Sequence, residues 1–164
     1  MNSKLFKKVR ILDPVFDADQ VADVLIIDGK IVAVEKNISQ FPTKTDIQDC
    51  QGLILGPGLV DLYCHSGEPG FEERESIESL RQASRAGGFT RLAILPDTFP
   101  PVDNSAGLAR LQNLATQATD KSAFPVLYYW GAITQGVKGE HMTELGELAA
   151  MGVVGFADGL PLEN

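Results

Sequence analysis

Cysteine is scarce in this sequence: Cys50 and Cys64 are the only two among 164 residues. They form no paired spacing, so neither a disulfide framework nor a zinc knuckle is expected. Long apolar runs are also missing. No stretch approaches the roughly 18 consecutive apolar residues of a membrane-spanning helix. Positive charge is short as well: 14 Lys and Arg stand against 22 Asp and Glu, a net charge of −8. Such a chain repels phosphate backbones, which argues against nucleic acid as a partner. The small basic cluster Lys4, Lys7, Lys8 and Arg10 is expected on the exposed face of a strand. No long hydrophobic core follows it, so it does not read as a signal peptide. The expectation is a soluble protein of a reducing compartment, hence cytoplasmic.

What is present is globular in composition, 44% hydrophobic and 22% charged. Residues 1–56 read as β-structure. Two Val- and Ile-rich runs, 21–27 and 31–35, flank Asp28-Gly29, a two-residue hairpin signal. Residues 38–45, with Pro42, read as a loop, and 53–55 as one more short strand. Gly56-Pro57-Gly58 then marks a boundary. Residues 57–164 change pattern. Strand candidates at 59–63, 92–95, 125–130 and 153–156 alternate with helix candidates. The first helix, 75–86, carries Ile77, Leu80 and Ala83 at helical spacing and stops at Gly87-Gly88. The second, capped by Ser105, carries Leu108, Leu111, Ala115 and Ala118 on one face. The third is the short segment 143–151. A β-α-β-α-β-α-β order predicts a parallel sheet with helical cover. A complete (β/α)8 barrel takes about 250 residues. The second segment therefore corresponds to about half a barrel or to a small open α/β sheet.

The segment richest in chemistry is Pro57-Gly58-Leu59-Val60-Asp61-Leu62-Tyr63-Cys64-His65-Ser66-Gly67-Glu68-Pro69-Gly70. Alternate residues of a strand face the same side, so a His-x-His pair at a strand end can grip one divalent ion. Here the first of those positions is Tyr63 and only His65 remains. A lone histidine is more often a bystander than a ligand. The other candidates have plain structural readings. His141 lies in a polar loop, and Cys64 faces away from Tyr63 and His65 as a silent buried thiol. Asp61 orients nearby backbone, and Asp103-Asn104 form a turn and helix cap. Glu72, Glu73, Arg74 and Glu75 make a solvated helix start, and Tyr128, Tyr129 and Trp130 are strand and core residues.

The segment resembles the amidohydrolase superfamily signature Pro-Gly-x-(Ile/Val)-Asp-x-His-x-His. Its continuation Glu68-Pro69-Gly70 resembles the dihydroorotase branch. Ala86-Gly87-Gly88-Phe89-Thr90, Leu95-Pro96-Asp97-Thr98 and Gly155-Phe156-Ala157-Asp158-Gly159 are similar to later βα units of that family, in the same order. The resemblance implies a small β domain at 1–56 and the first four βα units of a TIM-type (β/α)8 barrel at 57–164. It also implies zinc-dependent hydrolysis and closure of a cyclic amide, dihydroorotate, in pyrimidine biosynthesis. The family's first two metal ligands fall on Tyr63 and His65, and a third falls on Asp158, within a stretch one residue short. Its arginine for the substrate carboxylate falls on Gly67, and its asparagine for the same carboxylate on Asp97. Zinc is therefore expected to be absent or weakly held, and the chain to be non-catalytic. Degenerate homologues in the family assemble with aspartate carbamoyltransferase, which implies that enzyme as a partner. Alone, the chain is expected to self-associate or to be unstable. Two alternatives stay open at this point: a part of an active zinc-dependent cyclic amidohydrolase with an altered site, and an unrelated small α/β binding module.

Overall fold

The first strand, β1 (Ser3–Asp13), runs antiparallel to β2 (Ala18–Ile27), which turns back into β3 (Lys30–Glu35). The turn is the expected one. Asp28 (φ 48°) and Gly29 (φ 79°) both lie in the left-handed region that a tight two-residue hairpin requires. On its other side β1 pairs in parallel with β4 (Asp46–Asp49) and then with β5 (Ile54–Leu55). The computed structural model describes residues 2–117 and 124–159, and these divide into two compact units between Pro57 and Gly58.

A β-bulge organises the first unit. Phe6 faces Val24 and Val9 faces Ala22, so Lys7 and Lys8 together oppose the single residue Asp23. The extra residue reverses the in–out alternation of β1. Leu5 packs with Leu25 and Ile38 on one face, whereas Phe6, Val9 and Ile11 join Val24 and Cys50 on the other. The sheet thus buries apolar residues on both faces. The expectation that four basic residues share one exposed face fails here. Lys4, Lys8 and Arg10 are exposed, but Lys7 turns its ammonium to the buried Asp23 at 3.1 Å.

The second unit is a four-stranded sheet in the order β6 (Leu59–Cys64), β7 (Phe89–Ile94), β8 (Val126–Gly131), β9 (Gly155–Phe156), with every neighbour parallel. Helices α1 (Ile77–Ala86), α2 (Ser105–Gln117) and α3 (Leu145–Ala150) connect the strands. Their apolar faces meet the sheet in one core that includes Cys64, Ile77, Leu92, Leu108, Leu111 and Leu148.

Helix α1 begins later than its apolar pattern suggests. Ser76 is its N-cap and exchanges side-chain hydrogen bonds with Ser79, so residues 71–75 lie ahead of the helix rather than in its first turn. Its buried stripe is Ile77, Leu80 and Ser84. Ala83 is exposed, and the Ser84 hydroxyl is satisfied by the Leu80 carbonyl at 2.7 Å. For α2 the sequence offers two caps, Ser105 and Asp103-Asn104, and Asn104 serves: its side-chain oxygen accepts the Gly107 N–H at 2.9 Å. Leu108, Leu111 and Ala115 are buried as expected, and Ala118 lies outside the described residues.

Candidate functional site

Parallel α/β sheets expose their chemistry at the carboxyl ends of the strands, where the connecting loops start. The sequence-singled residues gather there: Tyr63 and His65 at the end of β6, Asp97 after β7, and Asp158 after β9. Asp61 shapes the first of these ends, its carboxylate accepting the Tyr63 N–H at 3.0 Å. Cys64 points the other way, into the helix-covered core. Burial pushes its thiol up to about 11, with the carboxylates of Asp61, Glu75 and Asp97 adding to the effect.

Each position that the resemblance assigns to a metal is tied to the chain itself. The Tyr63 hydroxyl donates to the Gly159 carbonyl at 2.7 Å, joining the ends of β6 and β9. A hydroxyl that donates retains its proton. His65 Nδ1 contacts Asp97 Oδ2 at 2.7 Å, with the histidine side chain 46% and the aspartate 25% exposed. The Tyr63 and His65 rings meet edge-on, 6.0 Å between centroids.

Asp158 is the clearest departure from its expected role. Its Oδ1 accepts the N–H groups of Ile133 and Thr134, each at 2.9 Å, and its Oδ2 accepts the Thr134 hydroxyl at 2.7 Å. The same hydroxyl oxygen accepts the Gly139 N–H at 2.8 Å. Asp158 thus clamps the β8–α3 loop. Among the described residues no three His, Cys, Asp or Glu side chains converge to hold a metal ion. Zinc needs three or four protein ligands, and these residues do not supply them.

The two substrate positions do come together. Gly67 and Asp97 line one cavity of about 330 Å³ with His65, Phe71, Arg74 and Glu75. Gly67 is closed to any side chain. A Cβ there would stand 2.5 Å from the Glu75 carbonyl oxygen and 2.7 Å from that of Phe71. The backbone segment 71–75 occupies the space, drawn in by the Phe71 N–H donating to the Gly67 carbonyl at 2.6 Å. Asp97 is engaged with His65 through Oδ2, while its Oδ1 is buried with no hydrogen-bond partner among the described residues.

Phe71 and Arg74 are cavity residues that sequence reasoning missed. The Arg74 guanidinium lies 4.6 Å over the Phe71 ring. The signal was the Ser76–Ser79 capping box, which places the helix start after them and leaves 71–75 free to turn onto Gly67. His141 is exposed, as expected. A larger cavity of about 600 Å³ lies in the β unit, beside Lys8, Arg10 and Val21. It holds no chemically matched set, because Arg10 is already paired with Asp19 through two hydrogen bonds of 2.7 and 2.8 Å.

Residues 52–160 match the family model described as dihydro-orotase-like. A dihydroorotase of Solibacter usitatus is 39% identical over 156 residues, covering 94% of this chain and 35% of that protein. A probable dihydroorotase-like protein of Synechocystis is 36% identical over 181 aligned positions, covering all of this chain and 41% of its own length. The chain therefore spans little more than a third of the curated relatives that it matches. Among solved structures, an L-hydantoinase (dihydropyrimidinase) from Arthrobacter aurescens superposes with a TM-score of 0.74 at 24% identity, over 95% of this chain and 32% of that one. A crystal structure of a dihydroorotase gives 0.57 at 17% identity, over 95% and 42%. At these identities the likeness shows the fold alone.

Proposed function

The chain belongs to the dihydro-orotase-like family, and from that premise we propose that it is a pyrimidine-pathway homologue whose zinc-dependent dihydroorotate chemistry has been lost. In this reading β6 to β9 form the first four βα units of a (β/α)8 barrel, and the protein acts through an interface, with aspartate carbamoyltransferase as the candidate partner.

The observation that carries the reading is the His65–Asp97 contact of 2.7 Å. The resemblance assigns one of these positions to the metal and the other to the substrate, and here they satisfy each other. Asp97 also opposes an anionic substrate. Two like charges about 4 Å apart repel by roughly 4 kcal/mol at an effective dielectric of about 20, which is about a thousandfold in affinity. Gly67 offers no guanidinium in compensation, because its surroundings admit no side chain.

A second reading, part of an active zinc enzyme with an altered site, is favoured by the chain's 35% span of its relatives, since ligands can stand elsewhere in so much longer a protein. Elemental analysis of the longest natural form, purified without chelator and assayed with dihydroorotate, separates the two. We expect substoichiometric zinc and no turnover above the metal-free background. One tightly held zinc per chain, with turnover, establishes the second reading instead.

A further inference from the structure

We propose that the free edge of β3 pairs with β3 of a second copy of this chain, antiparallel and about a two-fold axis. Ile31 then stands opposite Val34 of the second copy, and Lys30 opposite Glu35 of the second copy. In the sheet of the first unit β3 is the outermost strand, with β2 on one side and no neighbour on the other among the described residues. Its sequence is Lys-Ile-Val-Ala-Val-Glu, and Ile31, Val32 and Val34 are 60%, 54% and 43% exposed. Exposed edges are usually blunted by charged side chains or a proline. Here the centre of the strand is apolar and the charges stand only at its two ends.

The backbone is in phase for such pairing. Lys30 faces Ile27 across the two-residue turn, so their N–H and C=O groups point at each other. Alternation then turns the groups of Ile31, opposite Ile26, away from β2. Val32 is an extra residue with no partner on β2, and beyond it Val34 lies opposite Val24. Ile26 and Val24 are two apart on β2, so Val34 repeats the phase of Ile31 and also directs its N–H and C=O outward. Ile31 and Val34 of the second copy can therefore exchange both backbone hydrogen bonds, and the two-fold axis makes this pair twice. Both stand opposite residues of a core cluster, Ile26 and Val24, so pairing continues that apolar face across the junction. The charge pattern selects the occupant. A register that matches Ile31 with Val34 also brings Lys30 onto Glu35, again twice, and neither has an ion pair among the described residues. Only a strand with the opposite order of charge satisfies both ends, and β3 read in reverse is such a strand. The proposal is independent of the functional reading, since no residue of the candidate site enters it.

One short strand pair buries less than the roughly 1,200 Å² of a stable interface, so a Kd of about 10–100 µM is expected. Sedimentation equilibrium of the full chain from about 5 to about 500 µM covers that range. The salt is about 0.15 M, where a screening length of about 8 Å damps the repulsion between two chains of net charge −8 but leaves pairs in contact. Lys30→Glu sets carboxylate against carboxylate at both ends of the junction and weakens the dimer about 10-fold. Glu35→Lys does the same with two ammonium groups. The exchange of both, Lys30→Glu with Glu35→Lys in one chain, restores the wild-type Kd. So does an equimolar mixture of the two single variants, in which opposite charges meet again, and that recovery shows each single variant to be folded. A monomer at every concentration overturns the proposal. A dimer that the single variants leave unchanged also overturns it, because association then uses another face, and so does a double variant no tighter than the singles.

Discussion

At the scale of single residues, two buried arrangements carry consequences that can be measured. Asp23 is 2% exposed and accepts the N–H groups of Lys8 and Ile38, each at 3.0 Å, with the Lys7 ammonium at 3.1 Å. Burial alone would raise its pKa, but the Ile38 and Lys8 N–H groups and then Lys7 outweigh it, and the carboxyl lies below its ordinary value. The folded-state value is depressed, so the stabilisation is fully present above the unfolded value near pH 4 and is lost as pH falls through the folded one. Asp23→Ala leaves two shielded N–H groups unpaired, and we expect it to cost about 3 kcal/mol. Urea unfolding at pH 7 and again at pH 3 measures both effects: the gap between wild type and variant is wide at the first and narrower at the second. Gly67 gives the second case. Restoring the family's arginine by Gly67→Arg should not restore substrate binding. Its Cβ meets backbone atoms at 2.5 to 2.8 Å, so segment 71–75 must move, at a cost of about 2 kcal/mol or more. Calorimetric titration with dihydroorotate should show no gain, alongside a lower denaturation midpoint.

At the scale of elements, the β8–α3 loop is pinned from outside itself by the three hydrogen bonds to Asp158. Hydrogen bonds to a charged group contribute roughly 1.5–3 kcal/mol each. Asp158→Ala is therefore expected to speed amide exchange at Ile133 and Thr134 by about 10-fold or more, while the core amides of β7 keep their protection. Uniform loss of protection across β7 would instead mean that Asp158 supports the whole unit. This role was not legible in the sequence. An aspartate ahead of a glycine offers the same letters to a metal, a substrate or a loop, and only the fold says which donors surround it. What local pattern governs was legible: the Asp28-Gly29 turn, the parallel order β6 to β9, and the apolar stripe of α2. Strand β4 was not, because Asp46–Asp49 is exposed throughout and is held by pairing with β1 rather than by burying side chains. The start of α1 escaped for a related reason. Glu72, Glu73 and Glu75 suit a first helical turn by charge, yet the Ser76 cap and the approach of residues 71–75 to Gly67 place them before it. The candidate site was legible as a set of positions. It was not legible as chemistry, because the pairing of His65 with Asp97 joins residues 32 apart in the sequence.

At the scale of the whole molecule, charge and exposed apolar surface bear on what the protein meets. The net charge is −8, and no helix among the described residues is long and apolar enough to cross a membrane. Among the described residues β6 has a neighbour on one side only, and Leu59, Leu62 and Tyr63 on it are 53%, 68% and 48% exposed. Such a strand edge invites pairing with another segment. The proposed partner, aspartate carbamoyltransferase, follows from family resemblance and not from any residue of this chain. An acidic protein that docks through charge associates faster and more tightly at low ionic strength, and the attraction weakens once the screening length falls to about 8 Å near physiological salt. The longest natural form of the protein, mixed with the carbamoyltransferase of the same organism, is therefore expected to co-elute with it in size-exclusion chromatography at low salt and to separate in part at moderate salt. Separate elution at both, with a transferase that is stable and fully active on its own, removes the interface role and leaves the fold without a partner to serve.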